Sequence, residues 1–396
     1  MKKLILISFA VFIYSTSLFS QYWEDMSTLT NPASLPQMVA CDGKIYVVSG
    51  RINNQAPASW EFDPSTNAWT EKAKIPQGCY WASAVSVEGK IYVMGGGQNY
   101  PGKSYNQIYD PKTDSWSMGA DLLTPRMYHS AAVVNNKIYI IGGQNGDGTS
   151  EWYFDEYDPA TDTWTRKAQT PHNEAWYCGA VGIDNNFYRI AGGGSTLSLT
   201  RDYFDKYDIN SDSWQELNRF RIKLHAPAAV NYGGKIIMMG GYSYADYRDT
   251  MYSYDPVSDK WEVMELKLPQ ARSYHKAAVL NDCIYVYGGH DASMAGTLIR
   301  HCHPYLGVED NSTNDFSFEI YPNPVIDELN ITIQSQNTTI ADVFITNIIG
   351  ENCFSTKLKL MSGENHTNIV LPDLSSSVYF VNVIVEGQLF KRKFIK

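Results

Sequence analysis

Arg126-Met127-Tyr128-His129 and Arg272-Ser273-Tyr274-His275 are two copies of one phrase: an arginine, a tyrosine two residues later, then a histidine. An aromatic face beside a guanidinium suits sugars, acidic glycans or acidic peptides. The ring covers an apolar face and the planar fork pairs with a carboxylate. Trp81 takes the tyrosine's place in a further segment, and Tyr177 does so in another once one inserted residue is allowed. Leu35 and Ala226 stand at the two remaining equivalents, so four of the six are aromatic. A second loop in each segment brings Gln98, Asn99, Tyr100, Gln144, Asn145, Tyr242 and His290. The predicted ligand-binding set is Trp81, Asn99, Arg126, Tyr128, Gln144, Tyr177, Tyr242, Arg272, Tyr274 and His290. His129 and His275 are expected to brace neighbouring elements instead.

Other chemistry is thinly represented. His301-Cys302-His303 would place two imidazoles on one face of a strand, which could help hold zinc or copper. No further ligands stand near it, so no metal site is predicted. Asn145-Gly146-Asp147-Gly148 carries oxygen donors suited to calcium but reads as a plain turn. A nucleophile elbow, a P-loop, a His-Glu-x-x-His run and a dinucleotide fingerprint are all missing from the sequence. No catalytic residue and no cofactor is predicted. The six cysteines have no metal-type spacing and read mostly as buried free thiols, with one pair left open. A net charge of −10 without a basic block argues against nucleic acid.

The elements that must position these residues recur. Tryptophans stand at 23, 69, 116, 164, 214 and 261. A Gly-Gly pair ends at 96, 143, 193, 241 and 289, with Ser49-Gly50 as a variant. Between them an Asp precedes each of five Trp by six residues, at 63, 110, 158, 208 and 255, usually as Tyr-Asp-Pro. The strand before the glycines, Lys137-Ile138-Tyr139-Ile140-Ile141 in the clearest copy, is apolar on both faces and so central in its sheet. Each unit reads as four short strands, which cannot bury their faces alone but can when stacked around an axis. The last unit lacks a Trp strand of its own, while Trp23 has no unit before it. Residues 21–26 are therefore expected to supply the outer strand of the last sheet and leave no open edge.

This Gly-Gly, Tyr-Asp-Pro, Trp pattern resembles kelch repeats over residues 21 to about 304. Departures are Ser49 for Gly, Ile209 for Pro, Arg189 for the strand Tyr in the fourth unit, and His303 for the Asp in the sixth. The resemblance implies an all-β, six-bladed propeller whose two loop sets form a ligand-facing rim around a central channel. It implies binding of a glycan or protein as the leading function. The alternative is a sialic-acid mutarotase or epimerase type of enzyme, found on a similar ring, with Arg126, Arg272 and Glu174 as candidate residues. Copper-radical oxidase chemistry of larger kelch rings finds no recognisable ligand set here, and a purely structural adhesion module is the third reading.

The ends carry addresses. Met1-Lys2-Lys3 followed by an apolar run to Phe19 reads as a secretory signal peptide over residues 1–20. Residues 305–317 form a polar linker, and residues 318–396 alternate as short strands of a small Ig-like β-sandwich. Tyr321-Pro322-Asn323-Pro324, the Gly350 turn and the basic end Phe390-Lys391-Arg392-Lys393-Phe394-Ile395-Lys396 resemble the sorting domain of type IX secretion cargo. Ser377 departs from that family's usual Gly. The resemblance implies export through the periplasm to the outer surface or beyond, with the outer-membrane secretion machinery as partner.

Overall fold

The computed structural model describes residues 23–50, 59–97, 101–145, 152–172, 176–193, 200–219, 222–244, 246–290, 294–302, 316–321, 325, 327–335, 337–347, 352–371, 374, 378–385 and 388–396. The chain divides into two compact units, Met1–Gly307 and Val308–Lys396.

Among the described residues of the first unit are six four-stranded antiparallel sheets. Each begins with an innermost strand: Gln37–Cys41, Ser83–Val87, Ser130–Val134, Gly179–Ile183, Ala228–Tyr232 and Lys276–Leu280. These six strands adjoin one another in cyclic order, the sixth against the first, so the sheets form a ring. The second strands are buried almost throughout, as two-sided apolarity requires: Ile138, Tyr139, Ile140 and Ile141 are at most 1% exposed. Their side chains pack between sheets. Val39, Tyr46 and Val48 of the first sheet share a core with Ile91, Val93 and Tyr109 of the second.

The ring closes as the orphan Trp23 requires. Glu24–Asp25 pairs with Leu298–Cys302, Glu24 opposite Arg300, to complete the sixth sheet. One stitch recurs around the ring. The Trp indole donates to a carbonyl of the preceding sheet's outer edge: Trp116 to Ala73, Trp164 to Ala120, Trp214 to Ala168. Trp69 donates to Ser27, just after the N-terminal strand, and Trp23 to Lys267 of the fifth sheet. The turn aspartate adds two bonds. Asp162 Oδ1 accepts from the Tyr157 hydroxyl at 2.7 Å and from the Ala120 amide at 2.6 Å. Asp114 and Asp212 do the same in their sheets.

The register corrects the fourth unit by one residue. Tyr188, opposite Val181, occupies the place of Tyr92, opposite Val85, and Arg189 takes the place of Val93. The glycine pair is accordingly Ala191-Gly192, not a pair ending at Gly193. Gly193 instead bridges to Trp176, as Gly97 bridges to Tyr80. Three consecutive glycines hide the frame in the sequence, and a one-residue slip turns every side chain to the other face.

Two further expectations are settled by the sixth sheet. Cys283 and Cys302 face each other on neighbouring strands and form a disulfide, so one cysteine pair exists. Cys41, Cys79 and Cys178 are buried free thiols. His301 is buried with its ring 5.5 Å from Trp23, which removes it and Cys302 from the metal candidate; His303 lies outside the described residues.

The second unit holds a three-stranded sheet, in the order Phe316–Tyr321, Glu328–Ser335, Gly363–Val370. A four-stranded sheet follows, in the order Asn352–Leu360, Thr339–Asn347, Val378–Val385, Gln388–Ile395. Leu329, Ile331 and Ile333 from one sheet and Val343, Ile345, Val381 and Val383 from the other meet in one apolar core. The expected turn at Gly350 and the Ser377 departure lie outside the described residues.

Candidate functional site

The loop entering each innermost strand holds the residue aligned with Tyr128. All six such residues have left-handed backbone without being glycine: Leu35, Trp81, Tyr128, Tyr177, Ala226 and Tyr274, with φ between 50° and 64°. A bulky residue there costs on the order of 1 kcal/mol or more, so the surrounding structure must impose it. Backbone hydrogen bonds link five of the six in order around the ring. The Tyr128 amide donates to the Trp81 carbonyl at 2.9 Å, Tyr177 to Tyr128 at 2.9 Å, Ala226 to Tyr177 at 3.2 Å and Tyr274 to Ala226 at 3.1 Å.

This conformation gathers the aromatic rings over one end of the channel. Trp81 and Tyr128 have centroids 4.7 Å apart, Tyr128 and Tyr177 4.9 Å, and Tyr177 and Tyr274 5.0 Å, edge to face. Tyr177 and Tyr274 belong to the fourth and sixth sheets, so the rings reach past the alanine of the fifth. The four predicted aromatics are thus one collar. Tyr80, Trp176 and His225 buttress it from outside: Trp176 stacks on Tyr128, and the Tyr274 hydroxyl lies 3.3 Å from His225 Nδ1. Burial pushes the His225 imidazole down to about 4 and the Tyr274 phenol up to about 12, so both are neutral at pH 7.

Beside the collar, the fifth sheet's loop makes a two-residue hairpin, Tyr242–Ser243 against Asp246–Tyr247. Tyr242 packs on Tyr247, whose ring stacks on His290 at 3.3 Å. Tyr244 at the tip is 74% exposed and Tyr247 40%. Tyr242 and His290 were expected here; Tyr244 and Tyr247 were not. The signal was present, since Tyr242-Ser243-Tyr244-Ala245-Asp246-Tyr247 is a loop unusually dense in tyrosine. Gln144 is buried, with its backbone bridged to Met127 on the same face. Asn99 and Glu174 lie outside the described residues.

The arginines stand elsewhere. Arg126 is fully buried, with its guanidinium on Asp155 and on the carbonyls of Thr124 and Tyr153. Asp155, itself fully buried, also takes Arg166. Arg272 is 2% exposed and donates to the Gly288 carbonyl at 3.0 Å. Neither lines the channel cavity. The reason is that their strand partners, distant in sequence, draw them into the wall. His129 and His275 are buried against the neighbouring sheet and, unlike the arginines, also line the channel cavity. A Cβ at Gly95 would lie 2.6 Å from the Arg126 carbonyl oxygen and 2.7 Å from His129 Cε1. At Gly240 the corresponding distances, to the Arg272 oxygen and His275 Cε1, are 2.5 and 2.6 Å. Glycine is required in each because the next sheet's histidine occupies the space. Burial holds the His129 imidazole down at about 3, and that of His275 well below its ordinary range.

A cavity of about 150 Å³ is lined by the six collar residues and, beneath them, by the first residues of the innermost strands. Its described lining includes Gln37, Ser83, Ser130 and Lys276 among alanines.

Comparison with known proteins fits this geometry. Residues 35–227 match the KLHDC2/KLHL20/DRC7 Kelch-repeats domain, and residues 224–265 and 271–301 match the Kelch motif. Residues 319–396 match the Secretion system C-terminal sorting domain. Kelch-like protein 33 of Homo sapiens is 40% identical over 75 residues, which are 19% of this chain and 14% of that protein. Kelch repeat and BTB domain-containing protein 12 of Danio rerio is 31% identical over 84 residues, again 14% of its length. The chain therefore spans a small part of both curated relatives. The solved structure of YjhT superposes with a TM-score of 0.61 at 18% identity, covering 72% of this chain and 98% of that one, a likeness of fold. Sheets, stitches and matches agree: the chain is a kelch-repeat β-propeller protein with a C-terminal type IX secretion sorting domain.

Proposed function

We propose that the protein is a six-bladed propeller, exported by type IX secretion to the cell surface or beyond, that binds carbohydrate at its collared mouth. In this reading residues 1–20 are a signal peptide. Residues 21–304 form the binding domain, and 318–396 an Ig-like sandwich that addresses the chain to the secretion machinery. The observation that carries the binding role is the collar. Four aromatic side chains are held in a strained backbone over the channel, next to a hairpin that presents Tyr244 and Tyr247 to solvent. Rigid aromatic faces with hydroxyl tips suit the apolar faces and hydroxyls of sugars, and they lose little side-chain freedom on binding.

A glycan array tests this with the wild-type protein and a Tyr244→Ala/Tyr247→Ala variant. The wild type should retain a defined set of glycans, and the variant should bind them about tenfold more weakly or worse, as loss of two contact aromatics implies. Equal binding by the two, or no retained glycan, overturns the reading. A rate of N-acetylneuraminate anomer exchange above buffer, followed by NMR, would instead favour the epimerase type of enzyme.

A further inference from the structure

The first residues of the six innermost strands are Gln37, Ser83, Ser130, Gly179, Ala228 and Lys276. Five are small or uncharged. The sixth puts a lysine into a cavity of about 150 Å³, room for roughly ten waters at the volume each needs. Among the described residues no Asp or Glu lines that cavity and no ion pair engages the Lys276 ammonium. Lys276 lines the cavity from the sixth sheet, together with His275 of its own sheet and His129 of the third sheet across the ring. Both imidazoles are neutral, so neither supplies a counter-charge. Enclosure alone draws the amine down to about 8. A lone ammonium in an enclosed cavity gains from an anion, which offsets the desolvation cost it otherwise keeps.

A second cavity of about 350 Å³ shares Ala131, Ala180 and Ala229 with the first and continues to Ser86, Asn231 and Val279, toward the hairpin turns at the opposite end. Gln37, on the sheet next to Lys276 in the ring, is buried and lines the same cavity.

We propose that the channel beneath the collar is a binding site for a small carboxylate, held by the Lys276 ammonium with the Gln37 side-chain amide as second donor and reached from the mouth opposite the collar. The site is independent of carbohydrate binding at the rim, and either can fail alone.

Acetate is the probe, added to the full chain at constant ionic strength and pH 7 in exchange for chloride. The melting temperature should rise with acetate in the wild type and stay level in Lys276→Met. An unshifted wild type, or an equal rise in both proteins, overturns the proposal. A second measurement needs no variant. Lys276 is methylated with formaldehyde and cyanoborohydride and followed by peptide mass mapping, with exposed Lys260 as the internal reference. Acetate at about ten times its dissociation constant should slow modification of Lys276 about tenfold and leave Lys260 unchanged, as simple occupancy dictates. Equal rates at Lys276 with and without acetate overturn the proposal. So does failure of Lys276 to react in acetate-free buffer, since a channel closed to formaldehyde is closed to acetate.

Discussion

Arg126 and Lys276 are both cations near the channel, and their surroundings give them opposite roles. Arg126 has a buried carboxylate, Asp155, and so belongs to the wall. Removing it leaves that buried carboxylate with Arg166 as its remaining cation, so Arg126→Ala should cost somewhat less than the about 3–5 kcal/mol of a wholly unpaired buried charge, read by urea unfolding. The loss should be one of folding, not of ligand affinity in the molecules that remain folded. Lys276 has no carboxylate partner among the described residues and titrates. The unfolded chain keeps that proton to about 10.5 while the folded protein keeps it only to about 8. Between these values the unfolded state binds more protons, so this group's contribution to stability rises with pH across the window and its penalty is full below it. Lys276→Met should therefore exceed the wild type in stability at pH 7, and the difference should shrink steadily toward pH 10.5 in paired thermal melts. A constant difference would show that the charge is not what destabilises. In the sequence, the shared position of Arg126 and Arg272 was legible, but their direction was not. For Arg126 it depends on Asp155, 29 residues away, and for Arg272 on the Gly288 carbonyl, 16 residues away, each reached only once the sheet forms.

At the level of elements, the repeat is a set of stitches between neighbours. The Tyr-Asp-Pro turn and its Trp could be read from spacing because all their partners within a sheet lie a few residues apart. The partner across sheets, such as Ala120 for Asp162 and Trp164, lies 42 or 44 residues back and belongs to the previous repeat. Asp162→Ala removes the acceptor of the Tyr157 hydroxyl and the Ala120 amide together. It should cost about 1–3 kcal/mol in equilibrium unfolding, the range for leaving such groups unsatisfied. Asp162→Asn, which retains one acceptor oxygen, should lose less. The Cys283–Cys302 bridge was not legible for a different reason. No spacing motif marks it, and only the register of two adjacent strands sets the residues opposite each other. The fourth unit was misread by one residue because Gly192-Gly193-Gly194 offers two frames and the sheet accepts one.

For the whole molecule, closure makes the mouth. With Glu24–Asp25 on the last sheet, six entry loops face one another and their αL residues converge on the axis. The aromatic identity of that collar was legible by aligning repeats. Its hydrogen-bonded continuity and the tyrosine hairpin beside it arise only when the ring is complete. The sorting domain addresses the chain for export, and in the proposed function the collar is the surface that then meets carbohydrate. The direct test is ¹⁹F NMR of the protein labelled with 3-fluorotyrosine and titrated with the glycan retained most strongly on the array. The resonances of Tyr244, Tyr247 and Tyr274 should shift together, while those of Tyr109, Tyr157 and Tyr207, buried between sheets, stay fixed. Binding that leaves the three mouth tyrosines unshifted would contradict carbohydrate recognition at this site.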